Sequence, residues 1–313
     1  MKTSFKYLIL VGCTFPIWSG IAIAQDSKMT TGPHDAQLAD IRLHYLVAGH
    51  GPLVFVTSPG WGLGSLYLQK GLSPLEEQFT LLFIDTRGSG GSSRPTDSTK
   101  MSTAVMADDV DGLRDYLGID SIMLVGHSNG GAIALDYAER YPMRLRKLVL
   151  LDAQVLDEHA ENATAEFLRL WRDDPRYKSA IEAINDSPPL EPDDSFSKFL
   201  NKILPLYFSD PDRYLSDFAK TFEGTHLSVY ASKAQEAADK LSLRRQSKEY
   251  DKVRARTLIL SGTVDWVCPS EVSERMHAGI QGSTLSLYAN AGHLLWIEQP
   301  KRFFAELTDF LGD

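Results

Sequence analysis

The chain is 313 residues long, with 43% hydrophobic and 23% charged residues and a formal net charge of -9. At roughly 100–200 residues per domain it holds one large domain or two small ones, and its composition excludes disordered and collagen-like chains. The acidic balance excludes the basic face that a nucleic-acid partner requires, and no Cys/His cluster has metal spacing, so neither a metal nor another cofactor is expected.

The first element reads as an address. Lys2 and Lys6 precede two mostly apolar runs, and Ala22-Ile23-Ala24 forms an A-x-A cleavage site before Gln25. Residues 1–24 are therefore expected to be a signal peptide. Cleavage after Ala24 would leave a secreted or periplasmic protein with no stable membrane span. A second reading takes Leu10-Val11-Gly12-Cys13 as a lipobox, with Cys13 as a lipid-anchored terminus. Cleavage after Ala24 leaves Cys268 alone, which excludes an internal disulfide. Cys268 reads as a small buried residue rather than a nucleophile.

Strands are expected at Ile41–Val47, Leu53–Thr57 and Leu81–Ile84, with a partly helical stretch over Leu66–Phe79 between the last two. A helix over Met101–Leu117 follows, with Ser102 or Thr103 as its cap and Gly118 as its stop. Next come a strand at Ser121–Val125, a helix over Ala132–Tyr141 stopped by Pro142, and a strand at Leu145–Leu151. This alternation predicts an α/β fold with a mostly parallel sheet flanked by helices. From Gln154 to Asp251 the rhythm breaks into a polar, aromatic, helix-prone stretch. It resumes with strands at Thr257–Leu260 and Thr284–Tyr288, and a last helix starts at Pro300. The expected organisation is a core of residues 25–153 and 252–313 interrupted by a helical cap of residues 154–251.

Three residues at expected strand ends carry chemistry. Gly126-His127-Ser128-Asn129-Gly130 fits G-x-S-x-G between a strand and a helix, the context in which a sharp turn exposes a serine hydroxyl. Serine needs a base, and the base needs an orienting carboxylate. In the chain order Ser, Asp/Glu, His, the candidates are Asp265 and His293, each on a loop after a strand at the same sheet edge. Asp152 ends another strand and is the alternative carboxylate. His127 reads as structural or pocket-lining. An oxyanion hole is expected from the N–H of Asn129 and a second N–H from Pro59-Gly60-Trp61-Gly62, either that of Gly60 or that of Trp61.

With Asp85-Thr86-Arg87-Gly88-Ser89-Gly90-Gly91-Ser92, which is similar to a D-x-R-G-x-G-x-S signature, these residues resemble the α/β-hydrolase fold family across the mature chain, in its proline iminopeptidase-like branch. The resemblance implies a Ser128–Asp265–His293 triad under a helical cap, no cofactor and a small-molecule substrate, with Arg87 bracing the nearby loops. Ser58-Pro59-Gly60-Trp61-Gly62 stands where prolyl aminopeptidases carry H-G-G-P-G, and no Trp-Glu pair occurs in the chain. The expectation is a serine hydrolase acting on a small ester, lactone or amide. The alternatives are a proline iminopeptidase-type aminopeptidase, and a non-hydrolytic receptor or a C–C cleaving or cyclising enzyme. Serine at the elbow argues against epoxide hydrolases and haloalkane dehalogenases, which use aspartate there.

Overall fold

The computed structural model describes residues 27–158, 160–186, 191–242 and 244–313. The expected signal segment, with Cys13 and Ala24, lies outside them.

Among the described residues, eight strands form one sheet: β1 (Gly32–Gln37), β2 (Arg42–Gly49), β3 (Leu53–Thr57), β4 (Thr80–Ile84), β5 (Ile122–His127), β6 (Leu145–Leu151), β7 (Arg256–Gly262) and β8 (Thr284–Tyr288). Their spatial order is β1-β2-β4-β3-β5-β6-β7-β8. β1 runs antiparallel to β2 and β2 antiparallel to β4, while every later neighbour pair is parallel. Parallel strands deliver their C-terminal ends to one edge. That edge therefore collects the loops starting at Ser58, Asp85, Ser128, Asp152 and Thr263, and the turn after Tyr288.

β1 is a strand that apolar patterning does not announce. Only Ala36 of its six residues is buried, and Pro33 is tolerated because the strand lies at the sheet edge. The stretch Leu66–Phe79 is not one helix. A short helix, α1 (Leu66–Gly71), gives way to a 3₁₀ turn over Ser73–Glu77. Pro74 lacks the N–H that a continuing helix needs. Helix α2 (Thr103–Tyr116) is capped by Ser102, whose hydroxyl accepts from the Val105 N–H at 3.4 Å.

The core lies on both faces of the sheet because strand side chains alternate. In β3, Phe55 joins one cluster with Leu43, Leu113 and Ile133, while Val54 and Val56 join the other with Phe83, Leu258 and Phe303. Helix α3 (Asn129–Arg140) follows β5 directly. Between β6 and β7 lie α4 (Glu161–Trp171), α5 (Lys178–Asp186), α6 (Asp193–Ile203), α7 (Pro211–Phe222) and α8 (Val229–Ser242). The chain closes with α9 (Ser270–Gly279), α10 (Leu295–Glu298) and α11 (Pro300–Gly312). Phe167, Tyr177, Ile181, Ile203 and Leu206 form a third cluster within the α4–α8 insertion. Val264 and Trp266, from the loop after β7, pack against it, so the insertion sits over that loop. Among the described residues, no helix is long and apolar enough to cross a membrane.

Candidate active site

Ser128 occupies the turn between β5 and α3 with φ 58° and ψ -128°. A non-glycine residue in such a sparsely populated conformation costs on the order of 1–3 kcal/mol and persists only where its surroundings over-determine it. Here the Ser128 N–H donates to Leu151 O at 3.0 Å, and the Ser128 carbonyl accepts from Gln154 N and Gly131 N, each at 2.9 Å. The flanking glycines are steric requirements. A Cβ on Gly126 would lie 2.2 Å from Gly130 O, and one on Gly131 would lie 2.3 Å from the Ala153 Cβ. Gly131→Val is expected to destabilise the protein by about 1–3 kcal/mol through overpacking, read as a lower urea midpoint. An unchanged midpoint would show that the helix is not seated this closely.

The structure brings Asp265 and His293 together. His293 Nδ1–H donates to Asp265 Oδ2 at 2.6 Å, and Asp265 Oδ1 accepts from the N–H groups of Val267 and Cys268 at 2.8 and 3.0 Å. The carboxylate is thereby fixed by its own loop while it holds the ring. Ser128, half-buried, lies beside the Cys268 sulfur, and its hydroxyl acts to lower the pKa of that thiol. That sulfur, a ring nitrogen of His293 and a carboxylate oxygen of Asp265 all lie within 4.8 Å of one another. Burial, with Asp265 beside it, pushes the Cys268 thiol well above its ordinary value, which keeps it a thiol rather than a nucleophilic thiolate.

Asp152 is not the carboxylate on the histidine. It is fully buried, and its Oδ1 accepts from the Gly262 N–H at 2.8 Å. Burial, and the charge of Asp265, push it well above the usual carboxylate range and favour its neutral form.

The loop after β3 holds three consecutive left-handed residues, Gly60, Trp61 and Gly62, with φ of 69°, 52° and 78°. The Trp61 N–H, expected as one candidate donor to a substrate oxygen, instead donates to Gln235 Oε1 on α8 at 2.7 Å. Turn composition reveals where such a loop lies but not which partner its N–H groups meet.

This strand–serine–helix turn, with its carboxylate–imidazole pair on the loops after β7 and β8, sits within a matched family region. The family model described as the alpha/beta hydrolase fold matches residues 52–300. The chain belongs to that family.

Among curated relatives of this alpha/beta hydrolase is the proline iminopeptidase PfmaB of Pestalotiopsis fici, 28% identical over 82% of this chain and 92% of the relative. Another is the 2-hydroxy-6-oxo-2,4-heptadienoate hydrolase of Pseudomonas putida, 26% identical over 87% and 93%. Of solved structures, the enol-lactonase of Burkholderia xenovorans superposes with a TM-score of 0.67 at 22% identity, covering 90% of this chain and all of that one. The family and these relatives support a hydrolase.

Three sets of braces hold the site of this alpha/beta hydrolase, and only those on the histidine loop, through Glu298 and Tyr207, carry no sequence motif. His127, fully enclosed, lies 2.9 Å through Nε2 from the His293 carbonyl and 2.8 Å through Nδ1 from the Tyr67 hydroxyl. A carbonyl only accepts, so Nε2 carries the proton and Nδ1 accepts from tyrosine. Burial also pushes His127 well below its usual value, so it stays neutral and ties the elbow to the histidine loop. Glu298 accepts from the Gly292 N–H at 2.6 Å and the Ser209 N–H at 3.0 Å. The His293 N–H itself donates to Tyr207 O at 2.9 Å, so the insertion holds this loop. The D-x-R-G stretch braces the opposite side. Asp85 accepts from Ser65 N–H, Ser65 Oγ and Gly91 N–H, each at 2.7 Å. Arg87 forms a buried fork on Asp109, with Nε and Nη2 each 2.6 Å from a carboxylate oxygen.

A cavity of about 420 Å³ has a lining that includes Gln154, whose N–H donates to the Ser128 carbonyl, with Leu168, Val267, Cys268 and Val272. Glu158 also borders it and is partnered by Arg275 and Tyr250.

Proposed function

We propose that the protein is a serine hydrolase that cleaves a small ester, lactone or amide through an acyl-enzyme on Ser128. The observation that carries this reading is the elbow serine, strained outward at φ 58°, beside an imidazole already held at Nδ1 by a buried carboxylate at 2.6 Å. Ser128 Oγ attacks the carbonyl carbon while His293 Nε2 takes the hydroxyl proton, and Asp265 stabilises the imidazolium that forms. Collapse of the tetrahedral adduct expels the alcohol or amine, protonated by His293. Water then enters with His293 as base and releases the acid. The developing oxyanion is met by the Asn129 N–H at the start of α3 and by the Gly60 N–H, since that of Trp61 is engaged by Gln235. The mostly aliphatic cavity next to Cys268 suits an uncharged acyl or leaving group of modest size, because its bordering Glu158 is already paired.

A second reading, aminopeptidase-type amide cleavage, is favoured by the likeness to the Pestalotiopsis iminopeptidase. One panel separates the two. Purified protein is treated with a fluorophosphonate probe and offered p-nitrophenyl esters, lactones and aminoacyl-naphthylamides. The expected result is a label on Ser128 and turnover of short uncharged esters or lactones. Turnover confined to aminoacyl amides would favour the second reading, and a folded protein that leaves Ser128 unlabelled would overturn both.

A further inference from the structure

We propose that Gln235, carried by α8 of the insertion, is a positioning residue for the substrate-oxygen site: its side-chain oxygen holds the Trp61 N–H and so fixes the left-handed turn of Gly60, Trp61 and Gly62 beside the elbow. The inference rests on the serine-hydrolase reading above.

Left-handed backbone costs a non-glycine residue roughly 1–2 kcal/mol, so a turn with Trp61 at φ 52° needs outside support. Two supports come from the insertion. Ser228 N–H donates to Gly62 O at 2.9 Å at the start of α8, and Gln235 accepts from Trp61 two turns further along. The backbone N–H can only donate, so the Gln235 atom facing it is the amide oxygen, and the NH₂ group points the other way. There it donates to Thr103 Oγ1 at 3.2 Å and packs against the side-chain amide of Asn129 at 2.7 Å. One fully buried side chain thus links the turn, the first residue of α2 and the residue that follows the nucleophile. The turn also abuts α3 closely, since a Cβ on Gly130 would lie 3.0 Å from Thr57 O and 3.4 Å from the Pro59 Cα. A shift of the turn therefore moves the Gly60 N–H relative to Ser128.

The bonding pattern separates a brace from a plug. A plug would be held weakly enough for substrate to displace it. Gln235 has no exposed surface and contacts the Trp61 N–H, the Thr103 hydroxyl and the Asn129 side chain together, so its withdrawal would strand several polar groups at once.

The groups packed on Gln235 from other elements are uncharged: Gly60 and Trp61 from the loop, Thr103 from α2 and Asn129 from α3. The carboxyl groups facing this cluster are Asp239, one turn on along α8 and bonded to Thr103, and Asp136 of α3, which acts on Asp239. A glutamate at position 235 would therefore be buried beside carboxylates, keep its proton near pH 5 and lose it as pH rises toward about 8. In that protonated form it copies glutamine, accepting from Trp61 and donating to Thr103.

Two variants test the proposal on a short p-nitrophenyl ester, with Ser128→Ala run beside them. Gln235→Met is expected to lower kcat by about 10- to 100-fold with KM changed only a few-fold, as misplacement of a reacting group does. Gln235→Glu is expected to approach wild-type kcat near pH 5 and to fall to a tenth of it or less near about pH 8, each compared with wild type at the same pH. Such pH-dependent rescue would not follow from a general packing role. Unchanged or raised kcat in Gln235→Met overturns the proposal, the latter because it marks a plug. If Gln235→Met does not fold, the glutamate variant decides alone, and a flat ratio to wild type overturns the proposal. If Ser128→Ala stays active, the acyl-enzyme reading falls and this inference with it. If that variant is dead while Gln235→Met equals wild type, only the inference fails.

Discussion

Ser128→Ala is expected to lower kcat/KM by about 10³- to 10⁶-fold on every substrate the wild type turns over, with the fold retained. The hydroxyl is the only group lost. The hydrogen bonds that pin the elbow run through the Ser128 main chain to Leu151, Gln154 and Gly131, and alanine keeps all of them. Residual rate from the Asn129 N–H and substrate binding sets the upper bound of the loss. The check is steady-state kinetics alongside thermal unfolding. Wild-type kcat/KM in the alanine variant would remove serine acyl transfer as the mechanism.

Arg87→Met should show the largest stability effect away from the chemistry, about 3–5 kcal/mol near neutral pH, because it leaves a buried carboxylate without its partner. Arg87 is 2% exposed and grips Asp109 through two bonds, with Asp40 and the Lys100 carbonyl completing its contacts. A loss of that size is a large share of the roughly 5–15 kcal/mol that hold a typical domain together. The pH dependence has a definite sign. Burial lifts the Asp109 carboxyl from 3.8 to about 6 even with Arg87 against it. A group whose folded pKa is raised favours folding below its unfolded value, and that contribution is lost as pH rises through about 6. Without Arg87 the folded-state value climbs further, so the variant should lie closer to wild type near pH 5 than near about pH 8. Denaturant unfolding at the two pH values measures the gap, and an equal gap at both would mean that Asp109 is not the group left uncompensated.

Where chemistry is enforced by local sterics, the sequence is readable. Gly126, Gly130 and Gly131 mark the elbow because any side chain there meets backbone or Ala153 at once. Asp265 and His293 are readable because parallel strands end on one edge, so a glycine-flanked Asp and His after late strands have one destination. What is not legible depends on partners remote in sequence. Trp61 and Gln235 are 174 positions apart, and Gln235 sits in a Lys-Ala-Gln-Glu-Ala run that reads as an ordinary helix surface. Glu298 and Tyr207 hold the histidine loop through its main chain, and main-chain contacts leave no side-chain signature at the loop itself. β1 stays hidden because an edge strand buries one residue in six, too few to impose a pattern.

The support of the histidine loop by Tyr207, and by Glu298 with Ser209 on its other oxygen, has a bearing on engineering. Trimming the insertion to make a minimal, open protein would not simply widen access, because His293 would lose the scaffold that aims it. Chimeras that exchange this region between relatives to alter selectivity would need to carry residues 207–209 and a matching glutamate as one unit.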